Sequence, residues 1–496
     1  FLEAGATDQP DRHRSMRAVF EYSWQLLDEG ERRTFAGLSV FRGGFTREAA
    51  EVVAGALTRQ LSNLVSKSLV GFDRAGGRYT VHELLRQYAE AALAVESERF
   101  EATVTAHARY FAGLAEIAGQ KLLVSGDHQA AVRLVDGDID NMRSALRNAC
   151  SSGDSDSARA FCLALSWVYE IHGWIKAGAE ICADVRETFE GRKDQSAMVA
   201  GAIAATNEAK FLTNLGRVES ASPLAAAALE LLREADDTLA YLMALEAICE
   251  IESYRGDADR LIDLSNEATR ISDESGYGLF SAAMRNYLAG AYLQKGNVES
   301  ALKELRRGEK VLVAGADQAM LGWNLYIQAS IALMQGRPDD AASLHRRQVG
   351  VARQVGYNRV LALGLTGIGQ VQIQLGEWDS ARGTLREGLE IFEKMGLVTE
   401  ICHVTMLLAQ VMSMTGDSER AIEAASCVRA DDSSDRPFLF ETTTIAESAT
   451  ALLNNLSTTM ESGEFSSAVA RGEMKGLDIV VKELLADGRT HLTAGV

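Results

Sequence analysis

The stretch Leu288–Ala301, LAGAYLQKGNVESA, decides the fold. Ala289 stands seven places before Gly296, and Ala301 stands five places after it. A chain leaving a helix through a left-handed residue does so most easily at glycine, which has no Cβ to collide with its own carbonyl. Gly296 therefore reads as the end of one helix and the start of a tight return. The two small residues then face each other across a hairpin and let its two helix axes approach closely. Tyr292, Leu302 and Leu305 fill the layers between them.

The same pattern recurs every 40 residues, with glycines at Gly216, Gly256, Gly296, Gly336, Gly376 and Gly416. Seven places before each stand Ala209, Cys249, Ala289, Ala329, Gly369 and Ala409. Five places after each stand Ala221, Leu261, Ala301, Ala341, Ala381 and Ala421. A second glycine closes the second helix at Gly276, Gly356 and Gly396. Gly173, with Ser166 before it and Gly178 after it, reads as an earlier and less regular unit, and Gly463 with Ala468 as a degenerate last one. Pro223 lies where the other repeats are already helical, so the spacing predicts a late-starting helix capped by Ser222. A single hairpin cannot cover its own apolar face, so the units must stack. The expectation is an all-α superhelix over residues 151–430 and capping helices over 431–496.

This spacing resembles the tetratricopeptide repeat, whose usual period is about 34 residues. A period of 40 implies longer helices, and the resemblance implies a right-handed superhelix with the first helix of each hairpin, helix A, lining its inner surface.

Bulk composition agrees. Only 4 prolines occur in 496 residues, as an almost wholly helical chain requires. A net charge of −19 disfavours a general nucleic-acid or anionic-membrane surface, which needs clustered Lys and Arg. The pairs Arg306-Arg307 and Arg346-Arg347 read as solvated charges on outer helices. Six cysteines show neither CxxC nor ligand-like spacing, which points to free thiols and a cytoplasmic location. No apolar run approaches the roughly 20 residues of a membrane span. The chain opens on Phe1, not Met, which suggests a piece of a longer protein.

Residues 15–95 do not follow the period. Helices are expected near 15–28, 30–39, 46–55 and 57–67, then a short β wing near 69–81 and a helix from His82. Three helices and a glycine-tipped hairpin describe a winged helix. Residues 1–14 read as a linker and 96–150 as a helical connector.

Four phrases resemble a known family: Arg12–Ala50, RHRSMRAVFEYSWQLLDEGERRTFAGLSVFRGGFTREAA; Leu61–Val70, LSNLVSKSLV; Gly77–Ala89, GRYTVHELLRQYA; and Asp138–Ala149, DIDNMRSALRNA. They are similar to the winged helix and repeat entry of bacterial STAND proteins, signal-transduction ATPases with numerous domains, many of them transcription regulators. Ala468–Ala486, AVARGEMKGLDIVVKELLA, is similar to that family's C-terminal ending. Val81-His82-Glu83 resembles the Met-His-Asp motif of NB-ARC proteins, with Val and Glu for Met and Asp. The resemblance implies that His82 reaches the phosphates of ADP or ATP held by an upstream nucleotide-binding domain. Without that domain His82 is expected to be exposed. By position alone it is simply a residue in the first turn of a helix.

The sequence has no GxxxxGK[ST], HExxH, GxSxG or EF-hand loop, so neither catalysis nor a metal site is expected in it. A recognition helix over Leu57–Ser68 carries only Arg59 and Lys67, too few cations for a DNA reader. Projecting the helix A register gives an inward row of Lys210, Glu250, Asn286, Tyr326, Gln370 and Gln410, with Trp323 and His403 beside it. A polar row with aromatics suits a protein, peptide or small polar inducer. The alternative for any one of these residues is a solvated groove without a ligand. The functional expectation is the regulatory and sensor region of a STAND-type ATPase, which could assemble in an ATP-dependent way. A passive interaction scaffold and a DNA-binding winged-helix regulator are the alternatives.

Overall fold

The computed structural model describes residues 21–315, 317–435 and 444–486. The linker expected over 1–14 and most of the helix expected near 15–28 lie outside them. The chain divides into two compact units, Phe1–Ile117 with Arg133–Phe161, and Ala118–Val132 with Cys162–Val496. The expected connector is thus shared between the units.

In the first unit residues 21–25 are helical, and α1 (Glu29–Gly37) follows, opened by a reciprocal cap in which Asp28 accepts from the Glu31 amide at 2.8 Å and Glu31 accepts from the Asp28 amide at 3.0 Å. A 3-10 turn at Leu38–Val40 leads to α2 (Arg47–Ala54) and α3 (Thr58–Ser66). The antiparallel strands β1 (Gly71–Asp73) and β2 (Arg78–Thr80) follow, with Phe72 opposite Tyr79. The Asp73 carboxylate closes their turn by accepting from the amides of Ala75 and Gly76. Tyr79 lies between Phe72 and Phe45, and Phe45 stacks on Phe41 with ring centroids 4.5 Å apart. Next along the chain come α4 (Glu83–Ala94), α5 (Ser97–Gln120), α6 (His128–Asp136) and α7 (Ile139–Ser152), of which the end of α5 and the start of α6 belong to the second unit.

The phrase DIDNMRSALRNA acts as a clamp. Asn141 is fully buried; its Oδ1 accepts from the Arg42 amide at 2.7 Å, and its Nδ2 donates to the Gly44 carbonyl at 2.7 Å and to Asp138 at 2.9 Å. Arg78 on β2 donates to both Asp138 oxygens, at 2.6 and 3.2 Å. Two polar residues of α7 and its entry thus tie the loop after the 3-10 turn to the strand pair. His107 faces Asn141 from α5, and burial holds its pKa down at about 4, so the ring is neutral there.

The second unit is an array of hairpins. An irregular pair, α8 (Ser155–His172) and α9 (Ile175–Phe189), precedes six regular ones. The regular A helices are α10 (Gln195–Asn214), α12 (Thr238–Arg255), α14 (Gly278–Gln294), α16 (Gln318–Met334), α18 (Asn358–Gln374) and α20 (Val398–Met414). Their B partners are α11 (Val218–Arg233), α13 (Ala258–Glu274), α15 (Val298–Ala314), α17 (Pro338–Val355), α19 (Trp378–Met395) and α21 (Ser418–Arg429). The last helices among the described residues are α22 (Ile445–Ser457), α23 (Ser462–Met474) and α24 (Leu477–Ala486). The fold is all-α with tetratricopeptide-like repeats, apart from the single strand pair described.

The six turn glycines have φ between 68 and 90°, the left-handed region that the repeat requires of them. Ala209, Cys249, Ala289, Ala329 and Ala409 are wholly buried, as are Ala221, Ala301, Ala341, Ala381 and Ala421. The two helix types differ in kind. In α12 every residue from Leu242 to Glu252 is buried, whereas α13 buries one stripe, Leu261, Ser265, Ala268, Thr269 and Ser272. The A helices are covered on both sides by neighbouring hairpins, and the B helices form the outer wall.

Two local expectations need correction. Pro223 lies inside α11, which starts at Val218 and not at a late cap on Ser222. The missing amide deprives only the carbonyl of Glu219, an exposed first-turn residue, so the helix tolerates it. Gly463 lies in the first turn of α23 and is not among the glycines with positive φ. It ends no helix, and the terminal unit does not repeat the glycine turn, although Ala468 is wholly buried.

All six cysteines are present as thiols, and five are buried. Burial pushes the thiols of Cys182 and Cys249 up to about 12, so they act as small core residues. Among the described residues, no helix is long and apolar enough to cross a membrane, and no cluster of three His, Cys, Asp or Glu is placed to hold a metal ion.

Candidate functional site

The inward side chains of the A helices meet in a buried charged network. Lys210, on α10, is 8% exposed, and its ammonium lies 3.2 Å from Glu246 on α12 and 4.0 Å from Glu170 on α8. It also lies over the Trp167 ring, 5.1 Å from the centroid. Burial opposes its charge, yet Glu246, Glu170 and Glu250 together hold its pKa above the ordinary lysine value.

Arg359, in the first turn of α18, is the second cation and is only 2% exposed. It donates to Glu400 on α20 from Nη2 at 2.8 Å and from Nε at 3.2 Å, and to the Tyr254 hydroxyl of α12 at 2.8 Å. Its Nη1 donates to Oδ1 of Asn214 on α10, and Glu250 lies 3.9 Å away. The guanidinium stacks over Trp323 on α16, 5.3 Å from the ring centroid. Trp323 in turn donates to the Tyr357 hydroxyl at 3.3 Å, and Tyr357 donates to Glu170 at 2.5 Å.

Four carboxylates, Glu170, Glu246, Glu250 and Glu400, thus surround two cations. If all were ionised the cluster would carry an excess of two negative charges. Burial, with Glu170 and Glu246 adding repulsion, pushes the Glu250 carboxyl up to about 7 against the pull of Lys210 and Arg359. The Glu246 carboxyl is also raised, by burial first.

The residues of the projected row fare differently. Lys210, Glu250 and Trp323 belong to the network. Asn286 and Tyr326 are buried in ordinary packing. Asn286 accepts from Asn324 at 2.8 Å, and Tyr326 lies against Trp323 and His345. His403 is buried, and desolvation pushes its pKa down to about 3; its Nε2 lies 3.3 Å from Nε2 of Gln370. Gln370 and Gln410 are half-buried. The row therefore faces the interior of the array and does not line an open groove.

Projection missed Glu170, Asn214, Glu246, Tyr254, Tyr357, Arg359 and Glu400. Glu246 carries one signal in the sequence: it precedes Glu250 by one helical turn, in a run, Leu242–Ile251, whose other residues are all apolar. Asn214 and Tyr254 are in the last turns of their helices and Arg359 and Glu400 in the first turns of theirs, positions that a mid-helix register does not reach.

In the first unit, His82 is the N-cap of α4 and is exposed; its Nδ1 lies 3.4 Å from the Leu84 amide. Glu83 turns back onto Arg86, donated to at 2.7 and 2.8 Å, and the Arg86 hydrogen bond holds its carboxyl down at about 2. Arg86 also donates to Glu90 and to the Ser39 carbonyl. The ring of His82 is thus presented at a helix N-terminus fixed by a buried arginine. In the same unit Lys67 is committed to the buried Glu31 at 2.6 Å.

No protein-family model matches the chain. It is similar to proteins of Mycobacterium tuberculosis and Mycobacterium bovis, each named "Putative HTH-type transcriptional regulator", at 26% identity over 448 residues, covering 78% of this chain and 50% of the relative. The chain spans about half the length of the curated relatives it matches. Among solved structures it resembles a STAND protein with a tetratricopeptide repeat sensor from Pyrococcus horikoshii, with a TM-score of 0.45, 14% identity, and coverage of 92% of this chain and 68% of that one. It also resembles a Rap protein complexed with Competence and Sporulation Factor, with a TM-score of 0.44, 14% identity, and coverage of 66% of this chain and 98% of that one.

Proposed function

We propose that this chain is the regulatory and sensor region of a STAND-type signalling ATPase. Residues 15–95 act as a winged helix against a nucleotide-binding module outside this chain, and the repeat array receives a protein, peptide or small polar inducer. The observation that carries this reading is the placement of His82. It caps α4 with its ring exposed, where the positive end of a helix favours a bound anion. The inducer acts by binding one state of the array better than another, which shifts the module from ADP towards ATP and assembly.

The test is made in a full-length protein. His82→Ala is expected to lower the ADP that co-purifies with it, without changing the fold. Unchanged nucleotide content would refute the role of His82. A passive scaffold, the second reading, predicts that assembly of the full-length protein is indifferent to nucleotide. The DNA-binding alternative is the weakest. Lys67, one of two cations on the candidate recognition helix, is occupied by Glu31.

A further inference from the structure

The array closes on itself. Tyr357 and Asn358, at the start of α18, bond to Glu170 and to the His172 carbonyl at the end of α8, more than 180 residues earlier. Beside them Gly173 lies so close to Met395, at the end of α19, that a Cβ would come within 2.5 Å of its side chain. At the centre of this closure a single guanidinium, Arg359, joins α10, α12, α18 and α20. Its partners Asn214 and Tyr254 are 145 and 105 residues away, so these bonds hold no hairpin together. They hold together successive parts of the superhelical turn. Each hairpin keeps its own buried seam, and stacked repeats interact mainly with their neighbours, so the turn can open without unfolding the hairpins.

We propose that Arg359 is the latch of a closed–open switch in the array: seated among Asn214, Tyr254 and Glu400 it holds the turn closed with the inner A-helix face occluded, and its release exposes that face. That an inducer is what releases it rests on the sensor reading above; the latch itself does not. The network is suited to the task because it is polar. A buried charge held by hydrogen bonds is lost at once when its geometry is broken and leaves carboxylates that seek water, whereas an apolar seam would yield gradually.

The test is hydrogen exchange and small-angle scattering on the ligand-free chain carrying Arg359→Met. Amides at the end of α10 and the start of α18 are expected to exchange on the order of a hundredfold faster, as after loss of a buried ion pair. The radius of gyration should rise, while protection in the B helices α13 and α15 stays as in the wild type. An unchanged profile in the folded variant overturns the proposal, and so does uniform loss of protection across all hairpins, which would make Arg359 a pillar and not a latch. Should that variant fail to fold, Glu400→Gln, which keeps the guanidinium and the side-chain volume, is expected to open the same two segments to a smaller degree; no change there overturns it equally. Both measurements are made without inducer, so failure of the sensor reading leaves their outcome untouched.

Discussion

Tyr357 donates its hydroxyl to Glu170 across 187 residues of sequence, and the same oxygen accepts from Trp323. The hydroxyl is therefore the joint between an early A helix, the start of a late one and an aromatic ring stacked on Arg359. Tyr357→Phe keeps the ring and removes both bonds. It leaves a half-buried indole N–H unpaired and a carboxylate one donor short, so it is expected to cost about 1–3 kcal/mol. Urea titration followed by tryptophan fluorescence would measure it. A midpoint equal to that of the wild type would show that water replaces the hydroxyl.

Glu250 gives the array a pH dependence whose sign is unusual for a carboxylate near cations. Around it are Glu170 on α8, Lys210 on α10, Glu246 on its own helix, Tyr287 on α14 and Arg359 on α18. Burial and the neighbouring carboxylates outweigh the two cations, so the folded pKa of about 7 lies above the ordinary 4.5. The folded state thus favours the protonated form. The stability this contributes is complete below about pH 4.5, declines as pH rises and is gone above about 7. Glu250→Gln mimics the protonated acid and should make the array more stable than the wild type at pH 8 by roughly 3 kcal/mol, with little difference at pH 4.5. Thermal midpoints of the two proteins across this range should diverge upward with pH. A constant offset would show that Glu250 stays ionised throughout.

Asn141 should be the most sensitive residue of its phrase. It serves the Arg42 amide, the Gly44 carbonyl and Asp138 at once, with no access to water. Asn141→Ala is expected to destabilise the first unit by about 2–3 kcal/mol, because buried partners are left unsatisfied. Asn141→Asp should be at least as harmful, since it sets a carboxylate against Asp138 and a carbonyl. Exchange at the Arg42 amide, now held at 2.7 Å, reports the loss directly. Protection there equal to that of the wild type would mean the clamp is redundant.

What could be read from the sequence divides along a physical line. Gly256 or Gly296 announces a helix end because positive φ is a local demand on one residue, and the 40-residue frame follows from repeating it. Lys210 and Glu250 were placed inward by the same frame. Arg359 was not, because its role depends on how far the stack rotates per hairpin, and that rotation brings residue 359 to residue 214. No periodicity within one helix encodes it. The inner face is closed for the same reason: the row lies where the register puts it, but the turn closes over it. Pro223 marks no boundary, because a helix can spare one first-turn carbonyl bond.

The repeat frame also makes a prediction that consensus reasoning gets backwards. At the position seven before the turn glycine, four of the other five repeats carry alanine, and only the fifth repeat carries glycine, Gly369. Alanine is the better helix former by about 1 kcal/mol, so Gly369→Ala looks like an improvement. In α18, however, a Cβ there would lie 2.5 Å from Cδ2 and 2.6 Å from Cγ of Leu385, which is wholly buried in α19. The branch point of a packed leucine cannot yield as a flexible chain end would, so the substitution should destabilise by about 1–3 kcal/mol. Gly383, in the helix opposite, is exposed and has no atom near the place of its missing Cβ. Gly383→Ala should therefore stabilise by about 0.5–1 kcal/mol through backbone entropy alone. Denaturation midpoints of the two single variants should move in opposite directions. If both rise, the α18–α19 seam is loose enough to shift, and the hairpin axes at this repeat are not held together by the close approach that a glycine permits.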